Sequence, residues 1–417
     1  MKFQVKNGEF QKELASVMVC SRTGVKSEYP DAGLITIKAT SGELIRMANN
    51  GNVAMFNNGV SADLEYQSVK DGSFTVIAND LESTLLSFAK GDTLTFESDG
   101  NSVRITTSAD DEEVQILPTH KGDVAMPEIA VNFGKTVKLR RSVFQRAMDK
   151  ILYAVGTEKW RPEFHYWMLR MAPKHLRAVA GDGTRFAVYE IDGENTVETD
   201  SDVNVVIHRD HKDVLQKIVA ATSTDWLTIQ EYARKGDSDT FGNQTIVTID
   251  DLKMVLVGHD PRVKWPNEAR YLDRKNTMKV VLCSSEWELD LKGILATNNE
   301  DIRKNNQVHY TTLTFDVTKK SVSAVTEHTM QSKRRFRLED AQGEAQTYKC
   351  ASIYLKEMMQ YAEGGNIQFE LLDEKSPAIA RCYAGDGVQD TPIERVNSTA
   401  QTKEQYTMFF VPFVKKA

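Results

Sequence analysis

The sequence predicts an α+β chain of three similar domains, each with two helices packed on antiparallel sheet. Three observations carry this: a strand–helix unit that recurs three times at matched offsets, a strand–helix–strand unit inside each recurrence, and period-2 alternation broken by Asp-Gly turns. The length agrees, because 417 residues exceed one ordinary core and fit two or three domains.

The first unit opens the chain. Phe3 and Val5 alternate with polar residues, and Phe10, Leu14 and Val17 follow at helical spacing. Val137 and Leu139 precede Phe144, Met148 and Ile151 at the same offsets, and Val280 and Leu282 precede Trp287, Leu291 and Ile294. Two residues before each aromatic stand Gly8, Ser142 and Ser285, and one residue after it Gln11, Gln145 and Glu288. Ser142 with Gln145 and Ser285 with Glu288 therefore read as capping boxes, in which each side chain satisfies a free backbone N–H of the first helical turn.

The second unit runs from Ile77 to Phe88 and into Thr93–Phe96, from Ile207 to Val219 and into Asp225–Ile229, and from Cys350 to Tyr361 and into Asn366–Phe369. Asp80, Asp210 and Ser352 stand near the three helix starts. The intervening strands are punctuated by Ser98-Asp99-Gly100, Gly181-Asp182-Gly183 and Gly385-Asp386-Gly387, which favours hairpins over parallel crossovers. Proline-marked segments around Pro127 and Pro266 set the expected domains at 1–128, 129–272 and 273–417.

Composition narrows the function. With 41% apolar and 27% charged residues the chain reads as globular. The start Met1-Lys2-Phe3-Gln4-Val5 lacks the apolar region of a secretory signal, and no stretch reaches the roughly 18 apolar residues of a membrane span; a cytoplasmic protein with no membrane partner is expected. Cys20, Cys283, Cys350 and Cys382 lie far apart without metal-ligand spacing and read as reduced thiols. No phosphate-binding glycine loop, nucleophile elbow or His-Glu-x-x-His motif is present, and His208 and His211 have no evident third ligand. The run Asp110-Asp111-Glu112-Glu113 reads as a solvated hairpin tip before it reads as a cation site. Neither catalysis nor a cofactor or metal is expected.

A net charge of −7 argues against a protein that simply coats nucleic acid, so DNA binding requires positive charge gathered on one face. The helices carry Lys12, Arg141, Arg146, Lys150, Lys292, Lys90, Lys212, Lys217 and Lys356, mixed with Glu9, Glu13, Asp149, Glu288 and Asp290. Three similar domains in a row form an arc, and a head-to-tail contact between two arcs closes a ring with helices toward the hole. Modest, mixed basicity suits sliding, since phosphate contacts hold position without reading sequence. A scaffold of the same repeated fold that never encircles DNA is the alternative.

Four segments then resemble one family, the bacterial DNA polymerase III beta subunits, or DNA sliding clamps, of which this chain would be a divergent member. They are Met1-Lys2-Phe3, the run Leu176–Val188 around Gly181-Asp182-Gly183-Thr184-Arg185-Phe186, the segment Trp265–Leu272, and Phe409-Phe410-Val411-Pro412-Phe413-Val414. The resemblance implies the DNA clamp fold and a ring-shaped homodimer that encircles double-stranded DNA without sequence preference. It also implies that DNA polymerase, the clamp loader and repair proteins insert a short peptide into an apolar groove. Carried over by position, that groove comprises Phe164, Gly181, Gly183, Thr184, Arg185, Phe186, Pro266, Arg270, Tyr271, Tyr310, Cys350, Ile353, Phe409, Val411, Pro412 and Phe413. For DNA, the resemblance points to Lys26, Arg161, His211 and Lys212, beside the helix cations Arg146, Lys150 and Lys217. For the subunit interface it implies that Ile294 and Leu295 meet Val114 and Ile116 of the partner. The chain departs from the family where Glu112 stands in place of an apolar residue, where Thr184 replaces a histidine, and at the terminal Val414-Lys415-Lys416-Ala417.

Overall fold

A computed structural model describes the chain except for residues 23–28, 59–63, 108–113, 130–134, 233–243, 258–267, 273, 284–285, 288–309, 327–331, 363–364, 384–392, 398–399, 411 and 413–417. The described residues fall into two compact units, Met1–Gln145 with Val205–Arg262, and Arg146–Asn204 with Val263–Ala417.

In the first unit, one sheet runs in the order Tyr66–Lys70, Lys2–Lys6, Thr93–Ser98, Ser102–Thr107, Val114–Pro118. Another runs Lys135–Arg140, Trp226–Tyr232, Gln244–Ile249, Leu252–Val257, Val53–Asn58, Leu44–Asn49, Leu34–Ala39, Gly72–Ile77. In the second unit, the larger sheet runs Tyr166–Ala172, His175–Gly181, Arg185–Asp192, Ala400–Phe410, Ala378–Tyr383, Asn366–Leu371, Met278–Cys283, Asp340–Gly343. The smaller runs Ser332–Arg337, Ser321–Thr326, Tyr310–Asp316, Thr347–Ala351. These neighbours pair antiparallel, as the alternation and turn residues predict.

The recurrence seen in the sequence is also a recurrence of register. Lys2–Lys6 pairs with Thr93–Ser98 so that Phe3 faces Phe96 and Val5 faces Leu94. Lys135–Arg140 pairs with Trp226–Tyr232 so that Val137 faces Ile229 and Leu139 faces Leu227. Met278–Cys283 pairs with Asn366–Leu371 so that Val280 faces Phe369 and Leu282 faces Ile367. In each copy the strand before the first helix therefore bonds to the strand after the second, with the same apolar positions opposed. A one-residue slip would turn every one of these side chains to the opposite face. All twelve are buried at 0–1% exposure, so the register is fixed by burial.

The helices follow from spacing. Asn7–Arg22 buries Phe10, Leu14 and Val17, and Arg141–Ile151 buries Phe144, Met148 and Ile151, the residues set by the apolar period. In the third copy Glu286 and buried Trp287 are helical, Trp287 stacks on Phe336 at 4.4 Å, and Leu291 and Ile294 lie outside the described residues. The second helices are Ala78–Ser87, Lys212–Ala221 and Ser352–Ala362.

The capping expectation needs correction. Helix Arg141–Ile151 begins one residue before Ser142, which therefore lies inside the first turn, and Ser285 lies outside the described residues. A neighbouring loop caps the helix instead. The Arg141 backbone N–H donates to the Asp225 carbonyl at 2.8 Å, and at the equivalent place the Asn7 N–H donates to Asp92 at 2.9 Å. The same two residues reach the end of the following helix with their side chains. Asn7 Nδ2 donates to the carbonyls of Leu85 (3.0 Å) and Phe88 (3.1 Å), while Arg141 Nε donates to Thr224 (2.8 Å) and Nη1 to Val219 (3.2 Å). One position thus satisfies free N–H groups at one helix start and free carbonyls at another helix end.

A charged pair is buried in the first unit: Arg46, 1% exposed, is bonded to Glu13 on helix Asn7–Arg22. Burial lowers the Arg46 pKa, and Glu13 opposes that effect. No helix among the described residues is long and apolar enough to cross a membrane.

Candidate functional site

Of the sequence-predicted groove residues, the second unit brings Phe164, Gly181, Gly183, Thr184, Arg185, Phe186 and Phe409 together at one hairpin. His175–Gly181 and Arg185–Asp192 pair so that Gly181 faces Phe186 and Val179 faces Val188. Arg185–Asp192 then pairs with Ala400–Phe410, setting Phe409 opposite Phe186, and Ala378–Tyr383 sets Ile379 opposite Phe409. Adjacent strands therefore present Val179, Val188, Phe186, Phe409 and Ile379 together, and Phe164 and Leu272 close over them into one apolar cluster. Phe186 stacks on Phe409 at 4.6 Å and meets Phe164 edge-on at 5.6 Å.

The turn explains its glycines. Gly183 has φ of 85°, in the left-handed region that a Cβ disfavours. A Cβ there would lie 1.9 Å from Arg161 Nη1 and 2.7 Å from Phe164 Cε2, and one on Gly181 would lie 2.6 Å from the Phe186 ring. Asp182 Oδ1 accepts from the N–H groups of Thr184 (2.8 Å) and Arg185 (3.0 Å), which fixes the turn. Arg161, passing over Gly183, lays its guanidinium 4.3 Å from the Trp160 ring centroid and 5.8 Å from that of Phe164.

A polar rim adjoins the cluster. Arg185 bonds Glu357 of helix Ser352–Ala362, approaches Asp182 at 3.0 Å, and lies 5.4 and 5.5 Å from the ring centroids of Tyr153 and Tyr354. Burial works against its charge, but Glu357 and Asp182 more than offset that and hold the guanidinium protonated. Burial pushes the Glu357 carboxyl up, with Arg185 opposing. Tyr354 donates to Thr184 Oγ1 at 2.7 Å, so the helix and the turn are tied at Thr184.

The other groove residues divide. Ile353 is 42% exposed on helix Ser352–Ala362, Arg270 is exposed on the short helix Ala269–Leu272, and Pro412 is half-buried. Tyr271 belongs to that short helix. Tyr310 opens strand Tyr310–Asp316, with Lys349 Nζ 5.9 Å from its ring centroid. Cys350 is fully buried, so it supports the sheet rather than lining an accessible surface, and burial pushes its thiol pKa up. Pro266, Val411 and Phe413 lie outside the described residues.

Two expected DNA residues are corrected. Lys150 is 4% exposed: its ammonium donates to the Tyr361 carbonyl at 2.7 Å and lies 5.5 Å from the Tyr406 ring centroid, so it bolts its helix to neighbouring elements. His211, at 3% exposure, is likewise interior. Arg146 is partly exposed and ion-paired with Glu404. Lys217 is exposed and Lys212 half-buried on helix Lys212–Ala221, and Lys26 lies outside the described residues. Val114 and Ile116 stand on Val114–Pro118, a terminal strand of its sheet, with Ile116 64% exposed; Ile294 and Leu295 lie outside the described residues.

Sequence reasoning missed Val179, Val188, Leu272, Ile379, Tyr153, Tyr354 and Glu357. Val179 and Val188 had a signal, since each stands two residues outward from the facing pair Gly181 and Phe186 on the same side of the hairpin. The others are joined only by contacts distant in sequence.

No protein family model and no curated protein matches the sequence. Solved structures match it end to end. The DNA polymerase III beta subunit of Thermotoga maritima is similar at 14% identity and TM-score 0.74, covering 100% of both chains. The DNA polymerase sliding clamps of Bacillus subtilis (13%, TM-score 0.76) and Pseudomonas aeruginosa (15%, TM-score 0.77) also cover 100% of both chains. The chain therefore has the fold of the DNA polymerase III beta subunits, the DNA clamp fold.

Proposed function

We propose that this chain is a non-enzymatic DNA sliding clamp: three similar domains, 1–128, 129–272 and 273–417, of which two copies close head to tail around duplex DNA. The observation that carries the reading is the threefold register, in which the opening strand of each copy pairs in the same way with the strand after its second helix. In a chain of three equivalent modules, a heterologous contact between the two ends closes a ring when the rotation permits. End-to-end similarity to sliding clamps supports the same arrangement.

The surface over the buried apolar cluster behind Gly181–Phe186, beside Thr184, Arg185 and Tyr354, is where we place a linear peptide from DNA polymerase, clamp loader or repair proteins. Ile353, Arg270 and Pro412 are its accessible members, with Pro266, Tyr271, Tyr310, Val411 and Phe413 completing it. Arg146, Arg161, Lys212, Lys217 and Lys26 supply weak phosphate contacts, and Val114 and Ile116 face Ile294 and Leu295 of a second copy. Hold on DNA is topological and calls for no cofactor or membrane, and we place the protein in the cytoplasm.

The test is retention on DNA. Loaded onto nicked circular plasmid, the protein remains bound through gel filtration at high salt and is lost after the plasmid is linearised. Equal loss from both forms would exclude encirclement and leave a scaffold.

A further inference from the structure

The hairpin at the candidate site has a double in the first unit. There Leu44–Asn49 and Val53–Asn58 flank the turn Asn50-Gly51-Asn52, as His175–Gly181 and Arg185–Asp192 flank Asp182-Gly183-Thr184. Asn50 Oδ1 accepts from the N–H groups of Asn52 (2.9 Å) and Val53 (2.8 Å), the bonds that Asp182 makes to Thr184 and Arg185. Gly51 has φ of 85°, as Gly183 does, and a Cβ on it would lie 3.0 Å from the Tyr29 ring. The register repeats as well. Ala54 faces Val255, which faces Ile246, where the second unit has Phe186, Phe409 and Ile379. Asn49 faces Ala54 and Met47 faces Phe56, as Gly181 faces Phe186 and Val179 faces Val188. Ala54, Phe56, Ile246 and Val255 accordingly form an apolar cluster of their own.

The two places differ in what covers them. In the first unit Met126 and Ile129, three residues apart in a segment that is neither helix nor strand, pack on the cluster beside Met47. Pro127 between them keeps the backbone at Met126 extended. Side chains of the hairpin and its neighbours grip that backbone. The Val124 N–H donates to Thr36 Oγ1 (2.8 Å) and the Ala125 N–H to Asp31 (2.7 Å), while Asn49 Nδ2 donates to the Ala125 carbonyl (2.7 Å) and Gln244 to that of Glu128. Side-chain bonds to an extended backbone, with alternate apolar side chains lodged on a sheet, are how a receptor holds a linear peptide. Two exchanges suit the first unit to this: Ala54 stands where the second has Phe186, and Asn49 where it has Gly181. In the second unit the Phe186 ring closes that space, since a Cβ on Gly181 would lie 2.6 Å from it.

We infer that the first unit holds a second peptide-binding site occupied in cis: residues 124–129 are its internal ligand, and their release exposes it to an extended peptide carrying two apolar side chains three residues apart. The likeness of the two places rests on the peptide seat proposed above for the second unit. Met47 and Met126 suit such an exchange, because an unbranched thioether repacks against a new side chain with little strain. The segment competes at the high effective concentration of a short tether, so the site stays closed to a weak ligand while the strap is intact.

The experiment is calorimetric titration of the full chain with a synthetic peptide of its own residues 122–129, Gly-Asp-Val-Ala-Met-Pro-Glu-Ile, with circular dichroism to check folding. Met126→Ser with Ile129→Ser in the protein should add one bound peptide per chain relative to wild type. Where the double change fails the dichroism check, Ile129→Ser alone should add the same site at lower affinity. Placing the two serines in the peptide instead should weaken its binding to the altered chain by about tenfold or more. Adding Asn49→Ala to the altered chain should weaken it by about fivefold, through loss of the bond to the Ala125 carbonyl. A folded altered chain that binds no additional peptide overturns the inference and leaves the seat in the second unit as it was. Additional binding indifferent to Asn49→Ala overturns it too, because the peptide then sits elsewhere. Additional binding that is sensitive to Asn49→Ala, with no wild-type site sensitive to Ile353→Asp, upholds the inference and counts against the seat in the second unit.

Discussion

Replacing Gly183 by alanine tests whether the turn is built to let Arg161 cross it. The left-handed φ of 85° costs an alanine about 1–2 kcal/mol. The new Cβ would coincide with Arg161 Nη1, at 1.9 Å, and overlap Phe164 Cε2, at 2.7 Å. Expelling Arg161 forfeits its stacking on Trp160, about 0.5–1 kcal/mol, and pushing Phe164 off Phe186 adds an overpacking cost of about 1–3 kcal/mol. The sum is about 2.5–6 kcal/mol. Gly100 supplies the control, because its φ is 97° but a Cβ there would meet nothing within 4 Å. Gly100→Ala should therefore lose only the backbone part, about 1–2 kcal/mol. Urea unfolding followed by tryptophan emission measures both. If the two variants lose the same stability to within about 0.5 kcal/mol, the crowded crossing is not what this glycine serves.

Other changes separate stability from recognition. Ile353→Asp, at a 42% exposed position, should leave stability within about 0.5 kcal/mol while lowering the affinity of a polymerase-derived peptide by about tenfold in calorimetry; unchanged affinity would remove Ile353 from the groove. Glu13→Ala should cost about 3–5 kcal/mol, because it deprives the buried Arg46 guanidinium of its carboxylate; a loss below about 1 kcal/mol in chemical denaturation would contradict that. Burial pushes the Glu231 carboxyl up to about 7, against the opposing pull of Lys135. A folded pKa above the unfolded one contributes stability that is full below about pH 4.5 and lost as pH rises through about 7. Glu231→Gln should therefore gain about 1–2 kcal/mol at pH 8 relative to wild type, discounted for its partial exposure, and an identical slope of Tm with pH in both proteins would refute the assignment.

The threefold recurrence of register was legible because it is written in local periodicity. Phe3, Val137 and Val280 stand at one offset before Phe10, Phe144 and Trp287, and burial of those residues needs no knowledge of distant chain. The apolar cluster was legible in part for the same reason: Gly181-Asp182-Gly183 sets a hairpin, and a hairpin sets Phe186. What stayed hidden depends on partners far along the chain. Ser142 looked like a cap because a local side chain was the only donor-satisfying group in view, whereas the Asp225 carbonyl arrives from another segment and takes that place. Lys150 sits one helical turn after Arg146 and reads as part of the same polar face. Its burial comes from Tyr361 and Tyr406, more than 200 residues later. Arg185 reads in the sequence as a groove residue, but Glu357 already compensates its charge, so its first role is to hold helix Ser352–Ala362 beside the turn.

The measurement closest to the central claim is electron microscopy of the protein alone at micromolar concentration. Three equivalent modules per chain and a head-to-tail pair predict class averages of a closed ring with six similar lobes around an open centre. Particles with no central opening, or open chains that lengthen with concentration, would contradict it.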